Sequence, residues 1–401
     1  MSTRSRVEEG PTRETRRAFV AVAFSVVILL AASNLPTPLY PTYQRLFHLS
    51  PLMVTLVFAT YALAVMPSLL VFGPASDAIG RRPVLLVAIG GSAVAAGLFA
   101  AAAGVAWLFA AQVVEGVAMG ALQGSAVAAL VETHPRGDRG KAARVGSIAT
   151  VGGAALGPLL AGLLAQYGPG PRRLPYLITA ALLALAMVAV GRSFPHDVRP
   201  EPRWRARRPT IPAEIRRPFL VAAASAFLGW AVAALFLSLV PGYVTALLGT
   251  RNLVLIGGLA ALMLGASAIV QLAGGRLSPS TLQRFGSCLL VGACASLIGA
   301  GHLRTLLPLL VSALLAGFGL GLAFRGSLAS VSLIAPEDRK GDVLATFYLA
   351  VYLGTALPVI GVGVTALSTG LLQAVQLFGY AIGGCSVLLT ALLFCLVLPE
   401  R

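Results

Sequence analysis

The stretch Gly73-Pro74-Ala75-Ser76-Asp77-Ala78-Ile79-Gly80-Arg81-Arg82 decides how the rest of this chain is read. It lies between apolar runs at 51–72 and 83–103, each about 20 residues long and so able to cross a bilayer core as an α-helix. One acid and two arginines in a Gly-punctuated segment predict a tight loop at a membrane surface. Glycine lets the chain reverse and lets helices approach closely, and arginines mark the cytoplasmic side of a membrane protein. A basic loop of an unrelated membrane protein would look much the same, so the reading must draw on the rest of the chain.

Composition excludes a soluble protein. Hydrophobic residues make up 57% of the 401 and charged residues only 11%, where soluble domains carry roughly 25% charged. The formal charge of +16 invites a nucleic-acid reading, but placement argues against it. All but six of the 30 Lys and Arg fall in segments that one topology puts on the same side. Arg45, Arg172, Arg173, Arg251 and Arg304 fall on the other side, and Arg325 lies within a span. That asymmetry is the positive-inside rule, so the charge reports topology and attraction to a lipid surface, with no nucleic-acid partner. The four cysteines (Cys288, Cys294, Cys385, Cys395) sit in apolar runs without metal or redox spacing and read as packing residues.

Twelve apolar runs are expected to span: 18–39, 51–72, 83–103, 107–130, 142–167, 174–190, 219–243, 253–272, 285–300, 306–334, 343–367 and 371–398. The hydrophilic tail 1–17 precedes a run longer than a signal-peptide core, which is expected to be retained as the first span. The run at 285–300 is short for a span. Between the sixth and seventh runs, residues 191–217 hold five prolines among eight arginines, a composition that neither packs a core nor suits lipid. The expected organisation is an all-α integral membrane protein with a cytoplasmic tail 1–17, a six-helix bundle 18–190, a cytoplasmic linker 191–217, a second bundle 218–398 and a cytoplasmic terminus 399–401.

The halves repeat at an offset of 201 residues. Pro135-Arg136-Gly137-Asp138-Arg139-Gly140 falls on Pro336-Glu337-Asp338-Arg339-Lys340-Gly341, and Gly116, Gly120 and Gly153 fall on Gly317, Gly321 and Gly354. The counterpart of the 73–82 stretch is degenerate, with Ser278 in place of the acid and no paired arginines.

The pattern G-x-x-x-D-x-x-G-R-R closely resembles the loop between helices 2 and 3 of the major facilitator superfamily, secondary transporters with twelve helices in two parallel-repeat six-helix bundles. The resemblance covers essentially the whole chain. It implies that Gly73, Asp77, Gly80, Arg81 and Arg82 form a cytoplasmic gate, with Asp77 at the positive N-terminus of the helix beginning near 341–343; a static loop salt bridge is the alternative. In the fifth span, Gly153-x-x-x-Gly157-Pro158 resembles a motif enriched in proton-driven drug exporters. Its small residues permit close helix crossing and its proline bends the helix; a kinked packing helix is the plainer reading. The fourth span matches the family's arginine-bearing pattern loosely, with Gln112 where the arginine is expected.

Two charges lie within predicted spans, Glu115 and Arg325, and intramembrane ionisable groups are functional candidates by default. Under the repeat they lie nine positions apart in depth, about 13 Å, too far to pair. Burial favours the neutral form of a carboxyl group, which nominates Glu115 for proton coupling. Arg325 keeps its charge and is expected to contact carbonyls, an anionic substrate group or a neighbouring helix. Gln112, Glu115 and Gln123 form a polar stripe at helical spacing. With Asn34, Tyr61, Trp230, Arg325, Tyr348 and Tyr352 they are expected to line a substrate cavity suited to lipophilic ligands. No G-x-x-x-x-G-K-[ST] motif is present, so ATP is not the expected energy source and no cofactor is implied. The expectation is a monomeric antiporter of the inner (plasma) membrane, exporting lipophilic drugs or metabolites against protons by alternating access. A sugar or organic-acid symporter or uniporter, and a non-transporting sensor or scaffold, are the alternatives. The few cavity acids disfavour the first, and the small linker disfavours the second.

Overall fold

The computed structural model describes residues 13–194, 211–273 and 277–395. Residues 1–12 of the tail, 195–210 of the linker, 274–276 of the degenerate motif copy and the terminus at 396–401 lie outside that description. The described residues form helices and no strand. The first half holds α1 (Arg13–Asn34), α2 (Tyr40–Phe47), α3 (Pro51–Ile79), α4 (Arg81–Ala100), α5 (Val105–Glu132), α6 (Arg139–Tyr167) and α7 (Leu174–Ser193). The second holds α8 (Arg216–Ser238), α9 (Val240–Leu248), α10 (Leu253–Leu272), α11 (Pro279–Leu303), α12 (Leu306–Ile334), α13 (Lys340–Thr369) and α14 (Leu371–Cys395). Among the described residues, twelve helical units are long and apolar enough to cross a membrane, α1 with α2 counting as one. Lipid offers the backbone no hydrogen-bond partners, so these runs can span only with their bonds closed internally. Their outward faces are apolar: Val20, Val94, Leu185 and Leu388 are all exposed.

Helix starts are set by side-chain caps. Ser50 Oγ accepts from the Met53 N–H at 3.1 Å, Asp138 Oδ1 from Lys141 at 3.0 Å and Asn252 Oδ1 from Leu255 at 3.0 Å. Each satisfies a backbone donor that the first turn leaves open.

The structure redraws three boundaries. The 73–82 stretch is mostly helix: α3 runs through Ile79, and only Gly80, at φ 95°, separates it from α4. Glycine is required there because other residues rarely adopt that φ. The helix survives Gly73 and Pro74 because α5 packs against it, so closely that a Cβ on Gly124 would lie 2.9 Å from the Gly73 backbone. The first span does not end at 39. It breaks after Asn34, turns through Thr37–Leu39 and resumes as α2 to Phe47. The short ninth run becomes the 25-residue α11, which takes in polar residues on both sides of it, among them Gln283 and Arg284. Gln283 donates to Ser330 Oγ at 2.8 Å and Arg284 to the Leu393 carbonyl at 2.8 Å.

The internal repeat is visible in the helices. α12 starts 201 residues after α5 (Leu306, Val105) and α13 starts 201 after α6 (Lys340, Arg139). Even the short α2 recurs, as α9, the two ending in left-handed caps at His48 and Gly249.

The halves meet along α6 against α10 and α3 against α13. Near the Ser50 and Asn252 caps these crossings are backbone-close: a Cβ on Gly162 or Gly257 would collide with the backbone of Leu253 or Pro158. At that end one apolar core joins both halves, from Tyr43, Phe99 and Tyr176 to Leu235, Tyr243 and Val359. Toward the opposite end, which carries Gly80, His134 and Gly191 (the motif end), a second core is built mainly by the first half around Val22, Leu85, Ile89 and Leu183, with Tyr352 and Ala356 of α13 joining it. The second half has another around Phe219, Val343 and Phe347.

Candidate transport site

A cavity of about 310 Å³ lies between the halves, walled by α1, α3, α5 and α6 on one side and α8, α10, α12 and α13 on the other. Asn34, Tyr61, Gln112, Gln123, Trp230, Tyr348 and Tyr352 all line it, together with Tyr40, Gln271 and Phe324. Glu115 and Arg325, placed in the cavity by sequence, are not among its lining residues.

The wall is apolar with a few fixed polar groups. Gln112 Nε2 donates to the Tyr40 hydroxyl at 2.9 Å and Gln271 Nε2 to Ser267 Oγ at 3.0 Å. Gln123 Nε2 donates to the Tyr352 hydroxyl of the other half. Trp230 and Tyr348 both pack on Phe324, with centroids 6.0 and 6.5 Å from it, in geometries aromatic rings favour. The buried indole N–H of Trp230 has no acceptor among the described residues, a state that costs roughly 1–3 kcal/mol unless a ligand or water supplies one. Pro158 adds a second loose polar group. With no N–H of its own it leaves the carbonyl of Ala154, a cavity-wall residue, without its helical donor.

Glu115 is 3% exposed and turned toward α4, where Ser92 Oγ donates to Oε1 at 3.1 Å. A carboxyl group cut off from water takes the nearest donor, and here that donor lies away from the cavity. Tyr61, which does line the cavity, is within electrostatic reach of it. Arg325 Nη1 donates to the carbonyls of Val270 at 3.2 Å and Ala273 at 2.6 Å. α10 ends at Leu272, so these are the open carbonyls of a helix C-terminus, and a guanidinium satisfies them while complementing the helix dipole. Glu115 and Arg325 thus sit in different halves with different partners.

At the motif end Arg81 is a hub. Nη1 reaches Asp77 Oδ1 at 2.5 Å and Ser76 Oγ at 3.0 Å, and Nε reaches Glu132 Oε1 at 3.1 Å. Arg82 Nη2 donates to the Gly191 carbonyl at 2.5 Å in the last turn of α7. The two arginines therefore tie the first turn of α4 to α3, α5 and α7. Asp77 is half-exposed and paired within its own motif, rather than seated on the start of α13. Glu132 is a partner that the sequence reading passed over. The signal was present, a lone acid ending a span on the basic side. Gly153 and Gly157 face α1, where a Cβ would collide with the carbonyls of Val27 and Ala31.

Twelve spans in two repeated halves, with an amphiphilic cavity on the seam between them, are the architecture of a membrane transporter and not of an enzyme. The chain belongs to the Major Facilitator Superfamily, whose family model matches residues 22–359. It is 33% identical over 161 residues to a puromycin resistance protein of Streptomyces alboniger, covering 40% of this chain and 32% of that protein. It is 30% identical over 148 residues to a tetracenomycin C resistance and export protein of Streptomyces glaucescens, covering 37% and 28%. The aligned parts thus span about a third of those relatives' lengths. In structure it is similar to a bacterial homologue of the human lysosomal transporter Spinster in its inward-facing, unoccupied conformation. There the TM-score is 0.77 at 15% identity, over 96% of this chain and 97% of that one, a likeness of fold.

Proposed function

We propose that this transporter exports lipophilic small molecules across the plasma membrane in exchange for protons, by alternating access. The observation that carries the reading is the cavity wall: aromatic rings from both halves, four side-chain amides and an unpaired indole N–H, with no carboxylate among the described lining residues. Such a wall takes up a flat apolar body and offers a donor to one acceptor group. Two relatives named for drug resistance or export support the direction.

Both termini and the linker are assigned to the cytoplasm by the placement of basic residues. The motif end is then the cytoplasmic end, and the Arg81 hub holds the surface that must part and rejoin. Glu115 is the proton-carrying acid, beside the substrate cavity and not in it. A drug-susceptibility panel on cells lacking and overexpressing the protein, with puromycin and tetracenomycin C included, tests the function. Overexpression is expected to raise tolerance to planar, lipophilic compounds; unchanged tolerance across the panel, with sugar or organic-acid uptake instead, would overturn it.

A further inference from the structure

We infer that the groove between α1 and α7 is a binding site for an anionic phospholipid at the motif end of the bundle. The groove has a volume of about 730 Å³, open toward the surroundings of the bundle, and lies apart from the transport cavity. Its α1 wall is Arg16, Arg17, Val20, Ala21 and Phe24; its α7 wall is Leu185, Ala189 and Ser193. The helices run in opposite directions, so the two walls grade the same way. α1 starts at the motif end with its arginines and goes inward to Phe24. α7 comes outward from Leu185 to Ser193. Over the eight residues from Arg16 to Phe24, about 12 Å of depth, the lining passes from two guanidiniums and a hydroxyl to apolar side chains.

That gradient matches one lipid lying upright, headgroup at the arginines and acyl chain beside Val20 and Leu185. Both of those side chains are 58% exposed. Ala21 and Ala189 keep the floor low, because a longer side chain at either place would fill the groove. The charge selects the headgroup. Among the described residues, no carboxylate lines the groove and neither arginine forms an ion pair. Two adjacent guanidiniums suit phosphate oxygens in the planar, forked geometry that arginine prefers. A net-zero headgroup leaves the full charge of the two guanidiniums in place, whereas phosphatidylglycerol, with one net negative charge, halves it.

Native mass spectrometry of the full chain in detergent tests the site, with phosphatidylglycerol and phosphatidylcholine of identical acyl chains titrated separately. One phosphatidylglycerol is expected to bind in preference to phosphatidylcholine. The double substitution Arg16→Ala, Arg17→Ala should weaken that binding about 30-fold, roughly fivefold per arginine. Ala189→Phe should weaken both lipids by filling the groove while keeping the charge. Arg144→Ala, at another exposed arginine of the same end, should change neither. Equal affinity for the two lipids, undiminished preference in the double variant, or an equal loss in the Arg144 control would each overturn the assignment, the last by showing only diffuse attraction. The readout needs no transport substrate, so it stands or falls separately from the export reading.

Discussion

Gln123 of α5 donates a hydrogen bond to the Tyr352 hydroxyl of α13, a polar link that crosses from one half to the other at the cavity wall. The bond joins residues 229 positions apart and lies on the seam along which the halves must move. Because the two groups satisfy each other, losing either leaves its partner short of one bond. Gln123→Ala, Tyr352→Phe and the double variant should therefore cost nearly the same, with a coupling of about 0.5–1.5 kcal/mol. Thermal melts of the four proteins in detergent measure this; additive losses would show that the bond contributes nothing to this state.

At the motif end, Asp77→Asn should leave folded yield near wild type, since the Asp77–Arg81 pair is half open to water and such pairs contribute below about 1 kcal/mol. Efflux should nevertheless fall several-fold, because the same carboxylate fixes Arg81 on the surface where the halves part. Arg81→Ala removes links to Asp77, Ser76 and Glu132 together and should lower both yield and efflux. Wild-type efflux in the Asn variant would return Asp77 to a static structural contact.

The span count, the repeat and seven of the nine residues placed in the cavity were legible in the sequence because each rests on a local property: run length, charge placement, helical spacing. What was missed depends on distant partners. Gly73 and Pro74 read locally as turn signals, and they are helical because α5 offers Gly124 fifty-one positions on. Glu115 shares a stripe with Gln112 and Gln123, yet it faces the other way because Ser92 lies on α4. Arg325 reads as a cavity charge until the end of α10 at Leu272 is known. The unpaired N–H of Trp230 has no sequence signature at all.

The glycine pair of α6 gives a test of packing free of any transport assay. Gly157→Leu would drive a side chain into the Ala31 carbonyl, whereas Gly152, on another face of the same helix, has nothing within 4 Å of an added Cβ. The first should cost about 2–3 kcal/mol through forced separation of α1 and α6, and Gly152→Ala should be neutral or slightly stabilising. Fluorescence-detected size exclusion after heating compares them. Similar melting of the two variants would mean that α1 and α6 can separate cheaply.

Glu115→Gln bears on coupling itself. The glutamine keeps the size of the side chain and can still accept from Ser92, so the packing of α5 on α4 should persist. It cannot release a proton. If Glu115 carries the coupling proton, the variant is locked in the equivalent of its protonated state, and pH-gradient-driven uptake into inside-out vesicles should be abolished. Substrate binding should survive, because Glu115 lies off the cavity wall and an uncharged ligand would meet Tyr61, Gln112 and Trp230 instead. Ser92→Ala provides the companion test. Removing the donor to Oε1 releases the carboxyl group from α4 without touching the cavity wall, so the pH dependence of transport should change with the apparent affinity for substrate unchanged. Concentrative uptake by the Gln variant under a pH gradient would remove Glu115 from the proton path and leave Asp77 as the acid to examine. Lost binding in that variant would point instead to a cationic substrate that reaches the carboxylate past Tyr61.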